Sequence, residues 1–494
     1  MNLQIPFMIP LLTFITLFFL VLNKRIRKPG KLPPGPRKLP IMGNLHQLGK
    51  LPHRSLQKLS QTHGDLMFLH LGFTPALVVS SADRARDIVK HHDLAFSGRS
   101  ALYAFGEICY SLSCVSSAPY GAYWREARRI MVLELMTAKR VESFRHIRAE
   151  EVGRVVDFIS GTAPDPVDLS SAVFAMSSSV ISRAAFGAAG GGGAGKGKSF
   201  KEILFETQSL VGKFNLADYY PGLGWVNRIN GVDRRIAENR RDLEGFFERV
   251  IGEHRDRTAA DSGDGNIIDV LLRVQKESEL TDDQLKAILL DVFVAGTDTS
   301  AATIVWTMTE LIRNPTVKRK AQREVRELAK GKPMVEESDL PRLSYLKQVI
   351  KESFRLHPPV PMVPRETTAP CAIDGGRYHI PAKTRVFFNL AALSADLAVW
   401  ENPSKFSPER FEDSEVDFRG KHFELLPFGA GRRGCPGINF SIPVVELAVA
   451  NLLFRFDWKL PEGISAEEVD MNESLGIVMH KKTPLCLIAT SVNN

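Results

Sequence analysis

The residues best suited to chemistry form one stretch, Phe428-Gly-Ala-Gly-Arg-Arg-Gly-Cys435-Pro-Gly437. Its glycines permit a tight turn and close backbone approach to a bulky group. Cys435 precedes a run, Ile438 to Phe454, that reads as a helix. A thiolate at a helix start, beside arginines, has a lowered pKa and is ready to bind metal. A lone cysteine in a glycine-rich loop is usually inert, so the rest of the chain has to supply what metal chemistry needs. Upstream lies Ala295-Gly296-Thr297-Asp298-Thr299. A hydroxyl and a carboxylate adjacent on a helix can hand protons to a reacting group. Gly296 costs about 1 kcal/mol in a helix interior relative to alanine, a cost with a use where a ring and a small molecule approach the backbone. Trp124 and Arg128 stand at i, i+4 on one predicted helix face. Taken alone they read as an amphipathic helix with a solvated basic edge. Their indole N–H and guanidinium are also good donors to a carboxylate.

These groups require particular elements. The spacing predicts a long helix over 281–313: Thr281 and Gln284 make a capping box at its start, and Asn314-Pro315 ends it. Leu285, Ile288, Val292, Gly296, Thr299 and Thr303 recur every three or four residues, so one face runs through it. Glu352 and Arg355, at i, i+3, lie on a helix ending at His357-Pro358-Pro359, where a surface salt bridge would be worth little. Residues 66–80 read as a hairpin turning at Gly72 and Pro75, followed by a helix from Ser81 or Asp83. Helical periodicity dominates to about Lys320, broken by loops near 98–119, 161–166, 187–198 and 219–224. A strand-rich patch covers 371–389, turning at Asp374-Gly375-Gly376, and a last hairpin is predicted over 476–490 around Lys481–Pro484. The class is mainly α with a small β region.

Ile5 to Leu22 is almost wholly apolar and long enough to span a bilayer. No Lys or Arg precedes it, whereas Lys24, Arg25, Arg27 and Lys28 follow at once, the reverse of a cleaved signal peptide. The positive-inside rule then leaves everything after Lys24 in the cytosol. Leu32-Pro33-Pro34-Gly35-Pro36 is a stiff, helix-excluding spacer. The expected organisation is an N-terminal single-pass transmembrane helix (1–23), a basic flank and proline-rich hinge (24–40) and one catalytic domain (41–494). Among 494 residues, 64 Lys+Arg against 56 Asp+Glu leave a charge of +8. That mild excess gives little support to a nucleic-acid role and suits a membrane surface or an acidic protein partner. Five cysteines without a Cys-x-x-Cys pair argue against a disulfide framework or a zinc site and for a reducing compartment. Gly192–Ser199 fits a phosphate-binding pattern, but that pattern works only between a buried strand and the helix it opens. Here it reads as a connecting loop.

The spacing Phe-x-x-Gly-x-Arg-x-Cys-x-Gly closely resembles the haem-thiolate loop of the cytochrome P-450 family, and Phe428 and Gly437 bound it. Four further elements resemble that family in the right order: Trp124/Arg128, Ala295–Thr299, Glu352/Arg355 and Pro408-Glu-Arg410-Phe411. The wording is similar to the plant microsomal branch. The resemblance implies haem b with Cys435 as the axial ligand of iron, and a thiolate ligand favours O–O cleavage. It implies that Thr299 hydrogen-bonds dioxygen, that Asp298 relays protons, and that Phe428 and Gly296 border the cofactor. Trp124, Arg128, Arg365 and Arg433 match propionate-binding positions, while Glu352, Arg355 and Arg410 would brace the fold behind the cysteine loop. The implied activity is monooxygenation of a hydrophobic small molecule at the endoplasmic reticulum membrane. Electrons would come from NADPH through the membrane-bound NADPH–cytochrome reductase, which would dock on Arg125, Arg129, Lys139 and Arg432. Pocket walls are expected from 100–115, 205–214, 292–303, 359–363 and 475–479, with Phe105, Leu112, Val292, Val360, Met362, Ile477 and Val478 making an apolar lining. Two alternatives stay open: a rearranging isomerase or dehydratase of the same fold, and a membrane haem protein that binds without turnover. The intact Asp298-Thr299 pair favours the monooxygenase.

Overall fold

The computed structural model describes residues 31–187, 198–256, 265–474 and 476–492. The predicted membrane helix, its basic flank and the glycine run before Lys198 lie outside the described residues. In chain order, the helices that position the site are α1 (Ala82–His91), α2 (Ala122–Ile130), α3 (Leu169–Phe186), α4 (Asp282–Arg313), α5 (Ser344–Leu356) and α6 (Ile438–Arg455). Helix takes 53% of the described residues and strand 10%, so the class is mainly α. The strands are β1 (Leu66–Leu71), β2 (Thr74–Val79), β3 (Pro166–Asp168), β4 (Met362–Glu366), β5 (Cys371–Ile373), β6 (Tyr378–Ile380), β7 (Arg385–Asn389), β8 (Phe456–Lys459) and β9 (Cys486–Ser491). They form three small sheets, in the orders β1-β2-β7-β4, β3-β9-β8 and β5-β6.

Helix α4 is capped as its sequence predicts. The Gln284 N–H donates to Thr281 Oγ1 at 3.2 Å, and the Thr281 N–H donates back to Gln284 Oε1 at 3.0 Å. It crosses the whole body, roughly 50 Å at 1.5 Å per residue. Helices α3, α4 and α6 are each long and apolar enough to cross a membrane, but most of each is buried inside the protein, so they are core helices.

Two strand expectations change. β4 falls in a segment with no strand signal, because Pro364 interrupts it. Proline is tolerated where a strand has a free edge, and β4 is the outermost strand of its sheet, antiparallel to β7 with Pro364 opposite Phe387. The predicted hairpin over 476–490 does not form. Ahead of β9 there is an isolated bridge, Glu473 to Lys481, and β9 pairs instead with β8 and β3. Those partners are distant in sequence, and local turn chemistry could not reveal them. The proline-rich stretch is also less a spacer than a stitched edge. The Phe68 N–H of β1 donates to the Pro34 carbonyl at 2.9 Å, and the His379 N–H of β6 donates to the Lys31 carbonyl at 3.0 Å.

Behind the cysteine loop, Glu352 and Arg355 are fully buried rather than a surface pair. Glu352 accepts two hydrogen bonds from Arg355, at 2.7 and 2.8 Å, and one from Arg410 Nε at 3.0 Å. Arg355 also donates to the carbonyls of Ser394 and Pro403. The neighbouring Phe354 ring stacks edge-on against Phe428 of the cysteine loop, with centroids 5.4 Å apart. Removing one partner of a buried ion pair leaves the other charge uncompensated, at a cost of about 3–5 kcal/mol. Glu352→Ala is therefore expected to lower the unfolding free energy by about that amount in denaturant titration; a loss below about 1 kcal/mol would refute the bracing role.

Candidate functional site

The cysteine loop is folded by its own backbone and by α1. Gly429 and Gly431 adopt positive φ of 67° and 65°, and the Cys435 N–H donates to the Phe428 carbonyl at 2.8 Å. A side chain at Gly431 would meet Asp93 and Val89 at 2.7 and 2.8 Å, so glycine is required for the loop to seat there. Asp93 in turn accepts the Arg432 N–H at 2.9 Å. Ser300 of α4 and Ser441 of α6 touch through their hydroxyls at 3.0 Å, which brings the middle of α4 beside the start of α6 and its preceding cysteine.

Around this junction, residues inside the fold are unexpectedly open. Cys435 and Ala295 are exposed, and Asp291, Thr299 and Phe428 are half-buried, although most of α4 is buried. Asp291, Ala295 and Thr299 recur every four residues, so they form one stripe on α4. This stripe and Cys435 border an internal hollow. The Thr299 hydroxyl donates to the Ala295 carbonyl at 2.8 Å on that stripe.

The electrostatics of the hollow are lopsided. Arg433 donates to the carbonyls of Ser97, Val115 and Ala118, and its guanidinium lies 4.2 Å above the Trp124 ring. Arg365 pairs with Asp93 at 2.7 Å and donates to the Ala430 carbonyl. Arg99 was not anticipated from the sequence. It sits alone in Phe96-Ser-Gly-Arg99-Ser, with no spacing to mark it. Its Nε and Nη1 are buried without a partner among the described residues, as is Arg365 Nε. Burial, then the charges of Arg433 and Arg365, push Arg99 down to about 9. Burial, then Arg365 and Arg128, push Arg433 down to about 10. Burial also lowers Arg128, which Cys435 partly offsets. Four guanidinium groups thus crowd one edge of the hollow, faced by Asp93 and Asp291.

Several expectations shift here. Burial raises the Cys435 thiol pKa; the Gly437 N–H and Arg128 pull it down but are outweighed. The thiol opens onto the hollow yet is ringed by protein, so loop position alone does not produce a thiolate. The Trp124 indole N–H is already donated to the Val115 carbonyl at 3.0 Å, which leaves its ring, under Arg433, as its contribution to this edge. The space made by Gly296 is used by α3: a Cβ there would meet Ile181 at 2.5 Å. Asp298 is buried and does not share the open stripe with Thr299; its carboxylate lies 2.8 Å from His480. His480 was also missed, since nothing in the local sequence ties it to α4. Ser199, the last residue of the phosphate-like pattern, caps the helix Phe200–Gly212 in a capping box with Glu202.

The Cytochrome P450 family model matches residues 33–488. The chain belongs to the cytochrome P450 family. Strychnine-11-hydroxylase of Strychnos nux-vomica is 54% identical over 483 residues, covering 96% of this chain and 94% of that one. Premnaspirodiene oxygenase of Hyoscyamus muticus is 43% identical over 498 residues, covering 97% of each chain. A zebra fish cytochrome P450 structure with abiraterone superposes with a TM-score of 0.75 at 23% identity, over 90% of this chain and 99% of that one. This P450 is therefore a haem-dependent monooxygenase of the plant type.

The hollow fits haem on its own chemistry. Among the described residues no cluster of three or more His, Cys, Asp or Glu could hold a metal ion, so the lone thiol suits a metal that arrives with most of its ligands in a ring. Propionate carboxylates suit the crowded guanidinium edge, where unpartnered N–H groups are otherwise costly. A hydrogen bond to a charged group is worth about 1.5–3 kcal/mol. Arg99→Leu is accordingly expected to speed haem transfer to an acceptor globin roughly tenfold or more; unchanged transfer would remove Arg99 from the cofactor edge.

Proposed function

We propose that this P450 inserts one oxygen atom into a hydrophobic plant specialised metabolite of the alkaloid or terpenoid type. Cys435 would ligate the haem iron, and NADPH electrons would be relayed by the membrane-bound reductase. The observation that carries this reading is the open stripe of α4 beside Cys435 and the carboxylate-poor arginine edge. The relatives' names support the substrate class: one is a strychnine hydroxylase and another a premnaspirodiene oxygenase.

When bound, thiolate-ligated haem supplies the dioxygen-splitting chemistry. The chain's own residues do the rest. Arg99, Arg128, Arg365 and Arg433 would hold the propionate edge, with the Trp124 ring stacked under Arg433. Phe428 packs the loop that carries Cys435. The Thr299 hydroxyl, parked on the Ala295 carbonyl, can rotate to donate into the hollow, and Asp298 supplies protons from behind it. Asp298 is positioned by α4, whose own packing depends on the missing side chain at Gly296.

The reductase is proposed to dock on the basic residues Arg125, Arg129, Lys139 and Arg432, all of which are exposed. Attachment to the endoplasmic reticulum membrane through residues 1–23 is supported by an exposed apolar surface near the start of the described chain. Met42, Phe73, Phe214, Trp225 and Ile229 are all at least 45% exposed. The segments carrying the first three are joined, since Gly72 N–H donates to the Met42 carbonyl, Phe73 N–H to the Tyr219 carbonyl, and Phe214 stacks on Tyr219.

The test is co-expression with a plant NADPH–cytochrome reductase and mass analysis of products from a panel of alkaloids and terpenoids. An added oxygen that depends on both NADPH and the reductase is expected; isomerised or dehydrated products without reductase would overturn the monooxygenase reading. Thr299→Ala is expected to keep its haem but to divert most reducing equivalents to hydrogen peroxide. General acid–base groups contribute roughly 10²–10⁴-fold, so a fully coupled Thr299→Ala would refute the role of that hydroxyl. Cys435→Ser is expected to abolish the thiolate signature of the reduced, CO-bound spectrum.

A further inference from the structure

Asp298 and Thr299 are adjacent in sequence but lie about 100° apart around the helix, and their surroundings differ. Thr299 belongs to the open stripe. The Asp298 carboxylate is 8% exposed, and His480 Nε2 sits 2.8 Å from its Oδ1. No other cation is in ionic contact with Asp298 among the described residues. The imidazole itself is 35% exposed, so it reaches from the buried carboxylate to water.

The contact is held in register by the helix that bears Asp298. Roughly two turns further along α4, the Trp306 indole N–H donates to the Met479 carbonyl at 2.8 Å. The Met479 N–H donates to the Pro359 carbonyl at 2.8 Å, and the Ser474 N–H donates to the His480 carbonyl at 2.9 Å. Several other charges near this loop are already engaged. Lys481 bonds the Asp470 carbonyl and lies over the Trp306 ring. Asp470 also accepts from Thr483. Glu473 is bound by His53 and Arg54. Further along α4, Glu310 is paired with His357. His480 is left with Asp298.

We propose that His480 is a positioning residue that recharges Asp298 with protons from solvent. This rests on the reading of Asp298 as the proton source. A buried carboxylate that gives up a proton needs a route to regain it. Imidazole suits the task because it titrates near neutral pH and carries two nitrogens on opposite sides of one ring. Water protonates Nδ1; the Nε2 proton passes to Asp298 Oδ1; the ring is left neutral with its proton on Nδ1 and resets through water. The net change is one proton moved from solvent to the carboxyl group, with no change in oxidation state.

The test uses the full-length protein in nanodiscs with its reductase. His480→Gln keeps a hydrogen-bonding amide beside Asp298 but cannot carry a proton, which separates relay from tether. Expected for His480→Gln are an intact reduced CO spectrum, an unchanged KM and a kcat lowered roughly tenfold, below the usual range for direct acid–base groups. The inflection in the pH profile of product formed per NADPH is expected to disappear. A second readout is independent of turnover. In histidine-labelled protein, the His480 resonance is assigned by its loss in His480→Gln, or in His480→Asn should the Gln variant not retain haem. Its ring chemical shifts are expected to change in Asp298→Asn, because the carboxylate 2.8 Å from Nε2 is replaced by an amide. Wild-type kcat and pH profile in His480→Gln, with Asp298→Asn uncoupled, would overturn the relay alone. Full coupling in Asp298→Asn would overturn the parent reading and the relay together. Unchanged His480 ring shifts in Asp298→Asn would show that the contact is absent and would also overturn the relay.

Discussion

Guanidinium groups repel one another, and burial makes that repulsion expensive; the centre of this protein is organised around that problem. Arg99, Arg128, Arg365 and Arg433 come from four different parts of the chain and meet at one edge of an internal hollow. Backbone carbonyls of the 97–118 segment accept most of the donors of Arg433, and Asp93 neutralises one side of Arg365. What remains is an excess of positive charge and unpartnered N–H groups. Such an edge suits a cofactor that carries carboxylates, whose charge would offset the guanidinium groups and accept from the free N–H donors.

Much of this was legible because it depends on local spacing. The capping box at Thr281, the hairpin around Gly72, the glycines before Cys435 and the Glu352–Arg355 pair each impose local geometry, and each appears in the fold. The parts that were not legible depend on which distant segments meet. Arg99 carries no motif, and its environment exists only once β4 and the cysteine loop have been placed beside it. β4 was hidden by Pro364, since the rule that proline breaks strands yields only when the strand turns out to be an edge. β9 looked like half of a local hairpin, although its true partners are β8, which precedes it by tens of residues, and β3, which precedes it by hundreds. Gly296 was correctly singled out as unusual, but the reason lay in the neighbour it meets, which one sequence does not display. The lowered thiol pKa expected from loop position was reversed by burial, an effect that neighbouring residue types cannot convey.

Helix α4 divides its duties by face. One stripe, through Asp291, Ala295 and Thr299, looks onto the hollow. Another carries Asp298 toward the C-terminal loop, and Trp306 on the same helix fixes that loop in place. A third packs against α3, where Ser177 donates to the Thr297 carbonyl at 2.7 Å. Threonines 299, 303 and 307 each return a hydroxyl to the carbonyl four residues back, which satisfies their side chains inside an otherwise apolar core and tends to bend the helix. A straight, purely apolar helix could supply the packing, but not the hydroxyl and the carboxylate at different azimuths.

The contact between Gly296 and Ile181 has a consequence for how such a pocket can diversify. The clashing atom is the tip of a flexible aliphatic side chain, not backbone, so the two positions form a volume-exchange pair: a methyl group gained on α4 can be offset by one removed from α3. A side chain added to α4 at this position is therefore coupled to Ile181 of α3. A search that varies Gly296 alone would find it immutable, whereas one that lets Ile181 shrink to valine or alanine at the same time would find it permissive.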